Sequence, residues 1–336
     1  MITTINKILI IRYGSFGDVF ITTSGFESIK KKYPNVSIYY LIKEPFQEVV
    51  LNHPYIDSII TFKKEKGFKY LYNRLKLIFL IKRLKFDVVI DYQNNSGTRL
   101  IAYLSNAKHR IGNNYGSLNY LNNYRFPEPQ DRYSGSLKFD MLQPLGIVEE
   151  KWIFYFYIDK NSEDFIDSWL KENDLDNKKF AIISPGSIVK SKIWRLSNYA
   201  ELGDMIQNEL GLKVILLYAP NEIEYSNEVY NLMKQKPILA PKISIMKAVT
   251  LIKKASVLIC NDSAINHLSC ATNTKTVAIF GNTDKLLAYK KLNPNKWSPH
   301  SVFNHHHLLY KNEIPSKDDN FGIHPNDVIK KLYEIL

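Results

Sequence analysis

The sequence predicts an α/β protein with two doubly wound parallel sheets. Strand-like apolar runs alternate with segments of helical periodicity in two series, one ending near residue 105 and one starting after residue 175. Such alternation is typical of βαβ units, because parallel neighbouring strands need a crossover connection. With 336 residues, the chain is long enough for two domains that each have a hydrophobic core.

The first series predicts the N-terminal domain. Its strand-like runs are KILIIR, VSIYYLI, SIITF and DVVID, and the helical segments that follow them are 19–32, 45–51, 68–84 and 97–105. A less regular region rich in Asn, Gly and Pro occupies 113–160. We therefore place this domain at residues 1–160.

The second series predicts a domain over residues 161–320. Ser162 resembles a helix N-cap at its start, since acidic residues follow it. The strand-like runs are KFAIISPG, KVILLYAP, PILA, SVLICND and KTVAIFG, and the helical segments are 197–210, 221–234, 244–254 and 264–272. Residues 321–336 predict a terminal helix, with Pro325 in its first turn.

Composition narrows the class of protein. An apolar fraction of 45% and a charged fraction of 23% are those of a globular chain and exclude wholesale disorder. Two cysteines, Cys260 and Cys270, make no disulfide framework and favour a reducing compartment. No run of about 18 apolar residues and no signal-peptide pattern is visible, so we expect a cytoplasmic protein.

The charge balance predicts anionic partners. Lys and Arg number 45 against 33 Asp and Glu, a net charge of +12. Nucleic acid is disfavoured, because zinc-finger spacing, RNP-type strands and a clustered basic arm are missing from the sequence. The segment 71–86 predicts a basic amphipathic helix, which either lies on an anionic membrane or covers the sheet with a solvated basic face. The second interpretation is favoured, since any helix in such a domain needs an apolar stripe.

The stretch IIRYGSFGDVF, residues 10–20, places an acid where a phosphate-binding turn is expected. Its glycines follow the pattern G-x-x-G-D, and Asp18 comes at the start of a predicted helix. The N–H groups of a helix N-terminus favour an anion. Asp18 therefore either caps the helix or takes part in the chemistry.

Three loops of the second domain carry polar residues directly after predicted strands. Parallel strands end at one edge of a sheet, where α/β proteins bind their ligands. The first loop suggests a pyrophosphate clamp and the second a ribose acceptor. In the third loop, Asp262 or Ser263 alone would also fit an N-cap and His267 a packed helix histidine. Three adjacent strand ends favour a binding site instead. The residues are Gly186, Ser187 and Lys192, then Glu222, then Asp262, Ser263 and His267.

These motifs, in this order over residues 8–284, resemble the bacterial heptosyltransferase family, glycosyltransferase family 9. They are G-x-x-G-D, PGS…K-x-W, AP-x-E and ND-S-x-x-x-HL…FG-x-TD. The resemblance implies a GT-B architecture, in which two Rossmann-like domains face each other across a cleft. The N-terminal domain then holds the acceptor and the C-terminal domain the nucleotide sugar, and the terminal helix often packs back at the domain junction.

The resemblance also implies an inverting transfer of heptose from ADP-heptose to a lipopolysaccharide core, without a cofactor or metal. Asp18 matches the proposed general base and Lys192 a contact to the leaving diphosphate. An anionic acceptor is expected near Gly17, Arg99 and Arg110. The remaining donor-site matches are Gly186 and Ser187 for the diphosphate, Glu222 for ribose, the backbone of Ile243 for the base, and Asp262, Ser263 and His267.

Two departures from the family pattern leave the donor open. Ala264 replaces a glycine, and GNTDK replaces GPTDP at 281–285. Alternatives are a member of the family that uses another nucleotide sugar, such as an N-acetylhexosamine donor for core or O-antigen synthesis, a nucleotide-sugar-binding protein without activity, or a basic scaffold.

The chain is expected to be a monomer with peripheral contact to the inner membrane. The triplet His305-His306-His307 is not expected to bind a metal, because acidic or cysteine ligands do not accompany it.

Overall fold

The computed structural model describes residues 2, 4–63, 65–127, 132–149, 151–281, 294–311 and 321–336. The chain divides into two units, Met1–Tyr157 and Ile158–Leu336. The boundary expected near residue 160 lies next to this division.

The N-terminal unit is built on a six-stranded parallel sheet with the order β3-β2-β1-β4-β5-β6. Its strands are β1 Lys7–Ile11, β2 Ser37–Lys43, β3 Ser58–Phe62, β4 Val88–Asp91, β5 His109–Asn113 and β6 Tyr124–Phe126. Its helices are α1 Phe16–Thr22, α2 Phe26–Lys32, α3 Gly67–Leu84, α4 Ser96–Leu104 and α5 Ser136–Asp140.

The C-terminal unit has a second six-stranded parallel sheet, with the order β12-β11-β10-β7-β8-β9. Its strands are β7 Phe180–Ser184, β8 Lys213–Leu216, β9 Ile238–Leu239, β10 Val257–Asn261, β11 Lys275–Ile279 and β12 His306–Leu309. Its helices are α6 Lys160–Glu172, α7 Leu196–Glu209, α8 Ile223–Leu232, α9 Ile245–Lys254, α10 Ala264–Leu268, α11 Pro294–Trp297 and α12 Pro325–Ile335.

Both sheets have the same topology. Counted from the start of each unit, the strand order is 3-2-1-4-5-6, so the first strand always pairs with the second and the fourth. The order reverses between β1 and β4 in one unit and between β7 and β10 in the other. In open α/β sheets, ligands bind at this switch point, beyond the carboxyl ends of the strands.

The predicted fold class is confirmed, since both units are parallel sheets covered by helices. Three strands were not predicted, the interior strand β5 and the edge strands β6 and β12, because they are short and interrupted by polar residues. The helix predicted over 45–51 is instead a 3-10 turn, Phe46–Val49. That segment is too short for a helix to offset its nucleation cost.

The prediction of Ser162 as a helix N-cap was wrong. Helix α6 begins three residues earlier in the chain than that cap implies, and Asp159 is its N-cap. The Asp159 carboxylate accepts a hydrogen bond from the Ser162 main-chain N–H at 2.7 Å. Asp and Ser are about equally good N-caps, and here the side chain of Asp159 satisfies the otherwise unpaired N–H of Ser162.

Helix α12 packs on the C-terminal unit. Val328, Ile329 and Leu332 are buried in the same apolar cluster as Leu202 and Ile206 of α7. These contacts account for the apolar face of the helix. Its predicted position at the domain junction stays a prediction.

Candidate active site

Polar side chains gather at the switch point of each sheet. In the N-terminal unit they lie in the loops after β1 and β4, and in the C-terminal unit in the loops after β7 and β10. Because each pair of strands is parallel and hydrogen-bonded, the two loops of each pair start side by side. Each unit is therefore described separately below.

The loop after β1 makes a tight turn into α1. Gly14 has a φ of +145°, and a Cβ there would overlap the ring of Phe46. Only glycine suits both constraints. Ser15 is the N-cap of α1, and Asp18 is the third residue of the helix. Asp18 is therefore not the N-cap, which was one of its two predicted functions.

The Asp18 carboxylate is held by an ion pair with Arg12. Arg12 Nη2 lies 2.5 Å from Asp18 Oδ2, and the Asp18 side chain remains 35% exposed. Ser15 Oγ donates a hydrogen bond to the same oxygen at 3.3 Å. Arg12 Nη1 donates to the main-chain oxygen of Tyr92 at 2.9 Å, which links Asp18 to the loop after β4. The pair fixes an accessible carboxylate at the switch point.

A buried acid anchors the loop after β4. Asp91 Oδ1 accepts hydrogen bonds from the N–H groups of Gln93 and Asn94, at 3.0 and 2.9 Å. Gln93 Oε1 in turn accepts one from the Tyr13 N–H at 2.9 Å. Burial raises the pKa of Asp91 to about 6. Asp91 thus organises the two loops rather than facing solvent.

The predicted acceptor-binding arginines bind the main chain. Arg99 is buried and donates to the carbonyl oxygens of Ser117 and Tyr115, both at 2.6 Å. Arg110 donates to those of Leu121 and Ala107, at 2.8 and 2.7 Å. These contacts give both guanidinium groups a structural function. They give no support to acceptor binding by either residue.

Gly17, the third residue predicted near the acceptor, lies buried in the first turn of α1. It precedes Asp18 directly and carries no side chain to contact a ligand. Its predicted place near the acceptor stays a prediction.

In the C-terminal unit, Gly186 and Glu222 lie in contact. A Cβ on Gly186 would overlap the Glu222 carboxylate. Burial raises the pKa of Glu222 above its ordinary value. The turn after β7 and the loop after β8 are therefore adjacent, and glycine at 186 leaves room for the Glu222 side chain. The predicted contacts of both residues with the donor stay predictions.

Lys192 and Asp262 form an ion pair between the loops after β7 and β10. Lys192 Nζ lies 2.5 Å from Asp262 Oδ2, with side-chain exposures of 22% and 9%. Two residues 70 positions apart in the chain, both predicted to bind the donor, are thus direct neighbours. The ammonium group is held in place by a nearly buried carboxylate.

Asn261 links the loops after β7 and β10 through hydrogen bonds of its side chain. This linking function was not predicted from the sequence. Its Oδ1 accepts from the Trp194 N–H at 3.0 Å and from the Tyr199 hydroxyl at 2.9 Å. Its Nδ2 donates to the carbonyl oxygens of Pro185 and Gly186, at 2.7 and 3.3 Å. The only sequence signal for this function is that the continuous apolar strand β10 ends in an amide side chain.

The rest of the predicted donor site lies around α9 and α10. Ser263 is the N-cap of α10, and its buried hydroxyl has no hydrogen-bond partner among the described residues. Such an orphaned group costs free energy unless a ligand or water satisfies it. Ser187 and His267 are buried, and Ile243 packs against the core beside the N-cap of α9.

The described residues include one of the two departures from the family pattern. Ala264 is the first residue of α10 and is half-buried. Residues 282–285 of the GNTDK segment lie outside the described residues.

The histidine triplet leads into an edge strand. His306 and His307 belong to β12, and burial lowers the pKa of His306 well below its ordinary value. Across the described part of the chain, no group of three His, Cys, Asp or Glu side chains is placed to hold a metal ion.

The chain matches one family model and several characterised proteins. The model, described as glycosyltransferase family 9 (heptosyltransferase), matches residues 74–307. Lipopolysaccharide heptosyltransferase 1 of Campylobacter coli is 26% identical over 312 residues, which cover 86% of this chain and 88% of that protein. Lipopolysaccharide heptosyltransferase 3 of Escherichia coli K12 is 25% identical over 283 residues, 80% of each chain.

Solved structures share the fold over nearly the whole chain. A glycosyl transferase family 9 protein from Veillonella parvula superposes with a TM-score of 0.83 at 21% identity, covering 100% of this chain and 98% of that one. The Escherichia coli heptosyltransferase WaaC with ADP gives a TM-score of 0.72 at 14% identity, covering 98% and 100%.

Proposed function

The chain belongs to glycosyltransferase family 9 and is a glycosyltransferase of the GT-B fold, and on that premise we propose that it transfers heptose from ADP-heptose to a lipopolysaccharide core acceptor. Named relatives are lipopolysaccharide heptosyltransferases, and one solved relative contains ADP. The observation that carries the donor assignment is the Lys192–Asp262 pair beside the Gly186–Glu222 contact.

In the proposed reaction, Asp18 is the general base. An acceptor hydroxyl attacks the anomeric carbon of the sugar, and its proton passes to the Asp18 carboxylate. The new glycosidic bond forms as the bond from the anomeric carbon to the diphosphate oxygen breaks. A single displacement of this kind inverts the anomeric centre. Arg12 orients the carboxylate that takes the proton.

The C-terminal unit would bind the donor and stabilise the leaving group. The Lys192 ammonium would face the diphosphate, whose negative charge grows as the bond to the sugar breaks. Asp262 holds Lys192 in position. Glu222 would accept hydrogen bonds from ribose hydroxyls, and the turn at Gly186 and Ser187 beside it would contact the diphosphate. No step of this scheme is assigned to a metal ion.

Calorimetry with ADP, ADP-heptose, UDP and a UDP-sugar tests the donor assignment. We expect ADP-heptose and ADP to bind, and the Lys192→Ala variant to bind them more weakly. The runner-up is a donor other than ADP-heptose, and Ala264 is the observation that favours it, since an added Cβ narrows a donor site. Preference for UDP ligands would overturn the heptose assignment. Binding of none of the four would overturn the donor site itself.

Glu222 predicts a pH dependence of donor affinity. Because the pKa of Glu222 is raised, a fraction of the protein molecules still has a protonated Glu222 carboxyl at pH values above the ordinary pKa of glutamate, which is about 4. Only the carboxylate accepts two hydrogen bonds without donating one. ADP affinity is therefore expected to rise with pH as this group ionises, and the Glu222→Gln variant to lack that rise.

Titration calorimetry across mildly acidic pH measures the effect as the ratio of wild-type to variant affinity, because ionisation of the ADP phosphates cancels in that ratio. 2′-Deoxy-ADP is the matched ligand control, since it removes one ribose hydroxyl. A ratio that does not change with pH contradicts the ribose function of Glu222.

A further inference from the structure

Helix α3 has two apolar faces, and only one of them packs against the sheet. On its inner side Ile81 is buried in the core of the N-terminal unit, and Leu77 and Leu84 pack against the same cluster. This stripe is sufficient to dock the helix on the sheet.

A second apolar stripe runs along the outer side of the same helix. Phe68, Tyr72, Leu75 and Phe79 follow the spacing i, i+4, i+7 and i+11, which places them on one line. They are 84%, 59%, 58% and 70% exposed. The sequence had favoured a solvated basic face here. Helix α3 does cover the sheet, as expected, but its outer face carries large apolar side chains as well as Lys and Arg.

Basic residues surround the outer stripe. Residues 66–86 contain seven Lys and Arg and no Asp or Glu. Lys69, Lys76 and Arg83 recur every seven residues and so lie along one flank of the stripe, whereas Lys82 lies on the other flank. Their long stems can lie along the apolar side chains while the charged ends reach outward.

We propose that the outer stripe of α3 inserts into the headgroup region of an anionic lipid bilayer. Aromatic and aliphatic side chains flanked by Lys and Arg are the pattern of a helix that lies in a membrane interface. Lys69 Nζ lies 3.7 Å from a carboxylate oxygen of Glu65. The remaining excess of positive charge complements acidic lipids and disfavours a second copy of the same basic face. None of the described helices is long and apolar enough to cross a bilayer, so α3 would lie on it.

Membrane binding through α3 is separate from the transfer reaction and does not depend on the identity of the donor. It gives the N-terminal unit a fixed orientation toward lipid. The membrane surface would then act as a partner of the protein in its own right, bound through one helix.

Vesicle co-sedimentation tests the proposal with the full chain. The wild type is expected to bind vesicles that contain phosphatidylglycerol and to bind phosphatidylcholine vesicles weakly. The double variant Phe68→Ser/Phe79→Ser keeps every charge and is expected to lose about tenfold or more in affinity. Lys69→Gln/Lys76→Gln is expected to lose on the order of tenfold at low salt and much less at high salt.

Two variants outside α3 are matched controls. Tyr120 is 68% exposed, so Tyr120→Ser removes an aromatic ring as accessible as Phe79. Lys171→Gln removes an exposed charge from α6. Both are expected to bind vesicles like the wild type. Thermal unfolding of every variant shows whether the fold is kept, which is expected because the replaced side chains are exposed.

Binding that the two phenylalanine substitutions leave unchanged would overturn the proposal, because a diffuse basic charge would then suffice. Equal losses in Lys171→Gln and the α3 lysine variant would overturn it for the same reason. The proposal would also be overturned if the wild type does not bind anionic vesicles but self-associates through Phe68 and Phe79. Sedimentation velocity would show this self-association, and a second copy of the chain would then cover the stripe.

Discussion

Replacing Asp18 with Asn is expected to lower kcat by about 10²-fold or more while ADP affinity stays unchanged. An amide has almost the shape of the carboxylate but cannot take the proton from the attacking hydroxyl. A 10²-fold loss corresponds to about 2.7 kcal/mol in the activation free energy. Steady-state rates of sugar transfer, together with calorimetry of ADP, measure the two quantities separately.

Two neighbours of Asp18 provide the controls. Ser15→Ala removes a 3.3 Å hydrogen bond to the carboxylate and is expected to change kcat by less than about tenfold. Arg12→Lys keeps a cation beside Asp18 but loses the fork that also binds Tyr92, so an intermediate loss is expected. If Asp18→Asn turns over within a few-fold of the wild type, another group is the base.

Replacing Lys192 with Ala is expected to lower kcat/KM by about 10²- to 10³-fold, because the departing diphosphate loses its cation. The same change is expected to weaken ADP binding, unlike Asp18→Asn. It also leaves the carboxylate of Asp262, only 9% exposed, without its ion-pair partner. A loss of stability on the order of 2 kcal/mol is expected from that uncompensated charge.

The double variant Lys192→Ala/Asp262→Asn separates stability from catalysis. Neutralising Asp262 is expected to recover most of the unfolding free energy, measured by denaturant titration, and none of the turnover. Asp262→Asn alone leaves Lys192 charged but less firmly held, so a smaller loss in kcat/KM is expected. Recovery of turnover in the double variant would mean that Lys192 acts only by stabilising the fold.

The fold followed from the sequence where the pattern was strong. β1, β7 and β10 are continuous apolar runs, and such runs predict buried parallel strands. β6 and β12 were missed, since a three- or four-residue edge strand with polar or aromatic residues has no clear period. The strand order could not be read from the chain, because it depends on long-range pairing.

The candidate site was predictable in its residue types but not in its partners. A strand that is followed by a polar residue or a glycine can be recognised from the local sequence. This signal identified Gly186, Glu222, Lys192 and Asp262. Which acid pairs with which base depends on strand order, so neither the Lys192–Asp262 pair nor the Arg12–Asp18 pair was visible. The burial of Arg99 in α4 and its hydrogen bonds to the carbonyl oxygens of Ser117 and Tyr115 depend on tertiary packing, so they could not be predicted either.

The two ion pairs have a consequence for selectivity. Lys192 is already neutralised by Asp262 before any nucleotide arrives, and Arg12 is neutralised by Asp18. A polyanion attracted by the net charge of +12 therefore meets an ion pair at the proposed donor site rather than an unpaired cation. A ligand that makes further contacts beside the pair is therefore expected to bind in preference to one that offers negative charge alone. We accordingly expect nucleic acid and free phosphate to compete weakly for this site.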